Sequence, residues 1–103
     1  MYKISFFVPL DYAEIVKLAV FKEGAGKVGA YAECSWETLG TGQFRPLEGS
    51  DPFIGKSNVL ERVKELKVEM ICEESLIGKA IEALKKAHPY EEPAYEVIKL
   101  ENF

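Results

Sequence analysis

Val59-Leu60-Glu61-Arg62-Val63-Lys64-Glu65-Leu66-Lys67-Val68-Glu69-Met70-Ile71-Cys72 is the stretch that decides the fold. Leu66, Val68, Met70 and Cys72 form one apolar row. Val63, Glu65, Lys67, Glu69 and Ile71 form the opposite, mostly charged row. A period of two over this length predicts a long strand with one face buried. The period then changes. Leu76, Ile77, Ala80, Ile81, Leu84 and Ala87 recur as the apolar stripe of an amphipathic helix. Glu73 and Glu74 suit its positive end, Ser75 is the expected N-cap, and Lys85 and Lys86 suit its negative end.

The same strand-then-helix unit stands at the start of the chain. Tyr2, Ile4, Phe6 and Val8 alternate with Lys3, Ser5 and Phe7, and Pro9 ends the run. Asp11 is the expected N-cap of a helix reaching about Glu23, with Glu14 completing a capping box. Ile15, Val16, Ala19 and Val20 are its expected buried face. The two units resemble each other, a weak internal pseudo-symmetry.

Between them, residues 24–58 hold most of the glycines and the only tryptophan. Tyr31–Leu39 alternates and reads as a strand. Gly40-Thr41-Gly42 reads as a turn, and Gln43–Leu47 as its hairpin partner. Pro46 places that return strand at a sheet edge. Glu48–Asn58, with Gly49, Pro52 and Gly55, reads as a long loop, a kind usually functional or mobile. Downstream, His88-Pro89-Tyr90-Glu91-Glu92-Pro93-Ala94-Tyr95 joins the second helix to a last strand, Tyr95–Leu100. Two prolines make this segment a rigid corner that presents polar and aromatic groups. The predicted order is β-α-β-β-β-α-β. With the 31–47 hairpin as an elaboration, this is an α+β, ferredoxin-like split βαβ sandwich: an antiparallel sheet with two helices on one face, in one domain over residues 1–103.

Composition narrows the function classes. The chain has 103 residues, 48% apolar and 29% charged, and a net charge of -4, so it lacks the basic face of a general nucleic-acid binder. No apolar run approaches a membrane span, and no basic leader or cleavage site marks a signal peptide. Cys34 and Cys72 form no CxxC pair and read as reduced, buried thiols of a cytoplasmic protein.

Several constellations carry chemistry in other settings. Gly24-Ala25-Gly26-Lys27-Val28-Gly29 spells a dinucleotide fingerprint, but it follows a helix and precedes a strand. That reverses the context a phosphate needs, so a helix cap and turn is the expected role. His88, Glu91, Glu92 and Cys34 are of metal-ligating type, yet one histidine cannot form a His-rich centre within one chain. At most a single divalent metal ion at His88 follows, and no other cofactor. As neighbours in an extended segment, Glu91 and Glu92 point to opposite sides and do not form an acid–base pair. A Cys34 nucleophile would need His88 beside it. The candidate ligand-binding residues are His88, Tyr90, Glu91, Trp36 and Arg45; no catalytic residue is assigned.

The blocks Gly24–Tyr31, Cys34-Ser35-Trp36, Gly40-Thr41-Gly42-Gln43-Phe44-Arg45-Pro46-Leu47-Glu48-Gly49, Pro52-Phe53-Ile54-Gly55 and His88–Tyr95 resemble the YqfO N-terminal-domain-like family. That domain also occurs as the insert of the NGG-interacting-factor-three-like proteins, the GTP cyclohydrolase type 2 homologues. The resemblance implies a fold akin to the PII signalling and CutA proteins, whose Pro-Tyr-Glu-x-Pro corner is matched by Pro89-Tyr90-Glu91 and Pro93. It implies that the dinuclear metal centre of the larger proteins belongs to flanking domains, so no metal ligand or cyclohydrolase activity carries over. The resulting reading is a non-enzymatic regulatory or binding module for a small ligand, metal ion or protein partner. The alternatives are a small enzyme around His88 at a subunit boundary, or an interaction domain for a separate metalloprotein. Self-association is expected through the mixed far face of the sheet, with Phe7, Val63 and Ile71 among charged residues. A trimer stands ahead of a dimer by the PII and CutA resemblance. Nucleic acid and membrane are not expected partners.

Overall fold

The computed structural model describes residues 1–103. Four strands, β1 (Tyr2–Pro9), β2 (Trp36–Phe44), β3 (Glu61–Cys72) and β4 (Tyr95–Lys99), form one antiparallel sheet in the order β2-β3-β1-β4. Two helices, α1 (Ala13–Lys22) and α2 (Ile77–Ala87), complete the βαββαβ order of a ferredoxin-like fold. The apolar rows of β1 and β3 lie on the helix side. Ile4, Phe6, Val8, Val68, Met70 and Cys72 make one core with Val16, Val20, Ala80 and Leu84 of the helices. No helix is long and apolar enough to cross a membrane.

The segment before β3 differs from its sequence reading. Gly40-Thr41-Gly42 is not a turn. The chain runs straight through it, and Gly40, Thr41 and Gly42 pair with Glu65, Lys64 and Val63 of β3. Residues 36–44 therefore form one edge strand rather than half of a local hairpin. Glycine permits a turn but does not require one, and twelve residues of β3 offered a full-length pairing partner. Pro46 lies beyond the strand, buried at the start of the loop.

Both helix entrances differ as well. Each helix is entered through a 3₁₀ turn, Leu10–Tyr12 and Glu74–Leu76, and neither N-cap residue, Tyr12 or Leu76, makes a side-chain cap bond. Asp11 and Ser75 thus sit inside the 3₁₀ turns, not at the caps. Glu14 accepts from Lys17 Nζ at 3.0 Å instead of closing a capping box, and Lys17 also reaches Glu37 of β2 at 2.9 Å. Ile15 is exposed, while Ala13, Val16 and Val20 are buried.

The glycine block closes α1. The Gly24 amide donates to Phe21 O, and Gly24, Gly26 and Gly29 all have positive φ. Gly26 is clasped between the sheet and the next turn: its amide donates to Ile71 O and its carbonyl accepts from the Cys34 amide, both at 2.8 Å.

Candidate functional site

The far side of the sheet, away from the helices, carries a groove of about 980 Å³. Its floor is β2 with Glu65, Lys67 and Glu69 of β3 and Phe7 of β1; its walls are the 46–54 loop and the 90–94 corner. The loop leaves β2 and returns to β3 closed on itself, because the Asn58 amide donates to Pro46 O at 2.6 Å. It is also tied to the corner, where the Asp51 amide donates to Glu91 Oε1 at 3.0 Å. Phe53 bridges the two walls. Its ring meets Tyr12 edge-on at 5.4 Å between centroids and approaches Tyr90 at 6.5 Å.

His88 positions the corner. It ends α2, its amide donating to Leu84 O, and takes the extended geometry that a following proline favours. The residue is 6% exposed. An amide can only donate, so the 3.1 Å contact from Tyr90 N–H makes His88 Nδ1 an acceptor without a proton. The neutral ring then carries its proton on Nε2, which donates to Phe7 O at 2.7 Å. Burial pushes the His88 pKa below its ordinary value, against the smaller opposing effects of the Phe7 carbonyl and the Glu65 charge. With both nitrogens engaged, His88 works as a bracket between β1 and the corner.

The bracket delivers Tyr90 into the groove. The Tyr90 hydroxyl donates to Glu65 Oε2 at 2.7 Å, and its ring lies 6.0 Å from Phe44. Burial, then the Glu65 carboxylate, raises the phenol well above its ordinary range, so Tyr90 stays protonated. Glu65 itself is 8% exposed and lies over Gly42.

Of the five residues singled out on the sequence, the fold gathers four here. Tyr90, Glu91 and Arg45 line the groove, and His88 supports it from behind. Trp36 does not line it; it stands 71% exposed at the start of β2. Phe44, an aromatic that could either wall a ligand or pack the sheet, belongs to the site, and so do Glu65 and Phe53, which no local pattern singles out. Glu65 read as one more charge on a solvated row, and only Tyr90, 25 residues away, marks it out.

Cys34 and His88 lie towards opposite ends of the sheet. Gly26, which bonds Cys34, is held at Ile71, whereas His88 is held at Phe7, the partner of Lys67. Four residues along β3 are about 13 Å. The Cys34 side chain is half-buried and that of Cys72 buried, and burial raises the Cys72 pKa. No three His, Cys, Asp or Glu side chains are grouped to hold a metal ion, and His88 has no free nitrogen to offer one. The residues present do not fit a bound metal.

No family model matches the sequence. The chain is 46% identical over 102 residues to the GTP cyclohydrolase 1 type 2 homolog of Halalkalibacterium halodurans, which covers 99% of this chain and 27% of that protein. The crystal structure of a Bacillus cereus protein related to NIF3 superposes with a TM-score of 0.84 at 44% identity, over 98% of this chain and 26% of that one. The PII-like protein CutA from Nostoc sp. matches in fold, with a TM-score of 0.70 at 17% identity over 99% of this chain and 83% of that one. The chain spans about a quarter of the length of the curated relatives it matches. Along nearly all its length the chain is similar to one segment of the GTP cyclohydrolase 1 type 2 homologues and of a NIF3-related protein, and its ferredoxin-like fold is that of the CutA structures.

Proposed function

We propose that this chain is a non-enzymatic, homo-oligomeric binding module of the cytoplasm, and that the far-face groove is its ligand site. The carrying observation is the construction of the groove. Two segments distant in sequence wall it, and the one histidine is consumed in holding the corner rather than left free for proton transfer. Tyr90, Glu91 and Arg45 contact the ligand in this reading. His88 acts through Tyr90, and Trp36 belongs to the exposed β2 edge. Self-association uses the other end of the far face, where Ile71 and Ile98 flank Lys3, so the groove stays open. A trimer is favoured over a dimer by the PII and CutA resemblance.

Mass analysis of natively purified protein tests both parts. A multiple of the 11.6 kDa chain with a bound small molecule is the expected result. A bare monomer removes the reading. A second reading, an interaction domain for a separate metalloprotein, is supported by the relatives' being about four times longer than the matched segment. It predicts co-purification of such a protein with the tagged chain.

A further inference from the structure

One carboxylate oxygen of a buried residue faces the groove and has no protein donor. Glu65 is more than nine-tenths buried. Its Oε2 accepts from Tyr90, whereas Oε1 accepts no hydrogen bond and the residue joins no salt bridge. No unpartnered side-chain polar atom is sealed from solvent, so Oε1 opens to the groove that Glu65 lines. With one oxygen held by Tyr90 and the other open, the carboxylate is oriented to accept from a donor entering the groove.

The surroundings favour a cation. The groove is lined by Glu65, Glu69, Glu91 and Glu92 against only Arg45 and Lys67. Glu69 is paired with Lys3 at 2.7 Å and with Lys67 at 4.0 Å, and Lys67 lies over the Phe7 ring, which leaves Glu65, Glu91 and Glu92 against Arg45 among the lining charges outside an ion pair. Tyr90, Phe44 and Phe53 form a contiguous aromatic surface beside Glu65, and aromatic faces attract organic cations. Gly42 makes the approach possible, since a Cβ there would overlap Glu65 Oε1.

We propose that the groove is a site for a small organic cation: an ammonium, amidinium or guanidinium group donates to Glu65 Oε1 while its apolar body lies against Tyr90, Phe44 and Phe53. This rests on the binding-module reading and names the chemical class of its ligand. A bare divalent ion does not fit, because it needs several oxygen ligands and no three ligating side chains come together in the chain.

The test is amide chemical-shift titration of the full chain with benzamidinium, benzamide and benzoate, three ligands of one shape and different charge. Benzamidinium is expected to move the Gly42, Glu65 and Tyr90 amides and to bind at least tenfold tighter than benzamide, with benzoate weaker still. Glu65→Gln keeps an acceptor for Tyr90 and should reduce benzamidinium to the level of benzamide. Gly42→Ala keeps the charge but displaces the carboxylate, and should do the same in a strand that accepts alanine; it decides the matter if Glu65→Gln does not fold. No response of these amides to 10 mM benzamidinium, an equal response to all three ligands, or a preference that survives in a folded variant overturns the assignment. An equal response overturns the cation alone and leaves the binding-module reading standing, which native mass analysis decides separately.

Discussion

His88 shows how one side chain can be structural at a position that looks chemical. Its ring joins the Phe7 carbonyl to the Tyr90 amide, so removing it leaves both backbone groups without their partner. His88→Ala is expected to cost about 1–3 kcal/mol in urea unfolding, the range for orphaned buried polar groups. The bracket also makes stability pH-dependent. The folded ring has a lowered pKa, so the unfolded chain, titrating near 6.5, takes up a proton first as the pH falls. The contribution of His88 is complete above about 6.5 and is lost as the pH drops through the folded value. Urea midpoints between pH 8 and 5 should fall more steeply for the wild type than for His88→Gln. Tyr90→Phe separates the hydroxyl from the ring. It removes a hydrogen bond to a carboxylate, worth about 1.5–3 kcal/mol, and leaves the Phe44 and Phe53 contacts in place. A denaturation midpoint unchanged in this variant would show the Tyr90–Glu65 bond to be energetically idle.

Elements are where glycine misleads. Gly40 and Gly42 sit within β2 and share its far face, since they pair with Glu65 and Val63. Nothing meets a Cβ built at Gly40, so Gly40→Ala should stabilise the strand by about 0.5–1 kcal/mol, read as a higher midpoint in urea. Gly26 is the opposite case. Its φ is +80°, and a Cβ would stand 2.9 Å from the Cys34 carbonyl oxygen, a backbone atom unable to move aside cheaply. Gly26→Ala should therefore destabilise by more than about 1 kcal/mol. All three glycines look alike in sequence, yet one has open space, one makes room for a carboxylate and one needs a left-handed backbone. The long alternation of β3 and the stripe of α2 were legible because a buried face imposes its period on every residue. The 3₁₀ entrances were not, since a cap depends on where the preceding strand releases the chain, and Pro9 and Glu73 set that by their extended geometry.

At the scale of the molecule, β2 and β4 are both open sheet edges, and the far face mixes Ile71 and Ile98 with Lys3 and Glu69. Such a face suits an interface with polar contacts. Light scattering at micromolar concentration should report a mass above that of one 11.6 kDa chain, and Ile71→Glu should lower it. A wild-type monomer would leave the far face as ordinary solvated sheet. The amino-acid sequence by itself determined the strand and helix periods, the side of the sheet that the helices cover and the rigidity of the His-Pro corner. Each of these follows from neighbours a few residues apart. Only the tertiary structure decided that residues 36–44 pair with β3 rather than fold back on themselves, and that Glu65 meets Tyr90 over Gly42. Those contacts join residues 17 or more positions apart. Their geometry is set by strand register and by the path of the closed loop, neither of which leaves a local pattern to read.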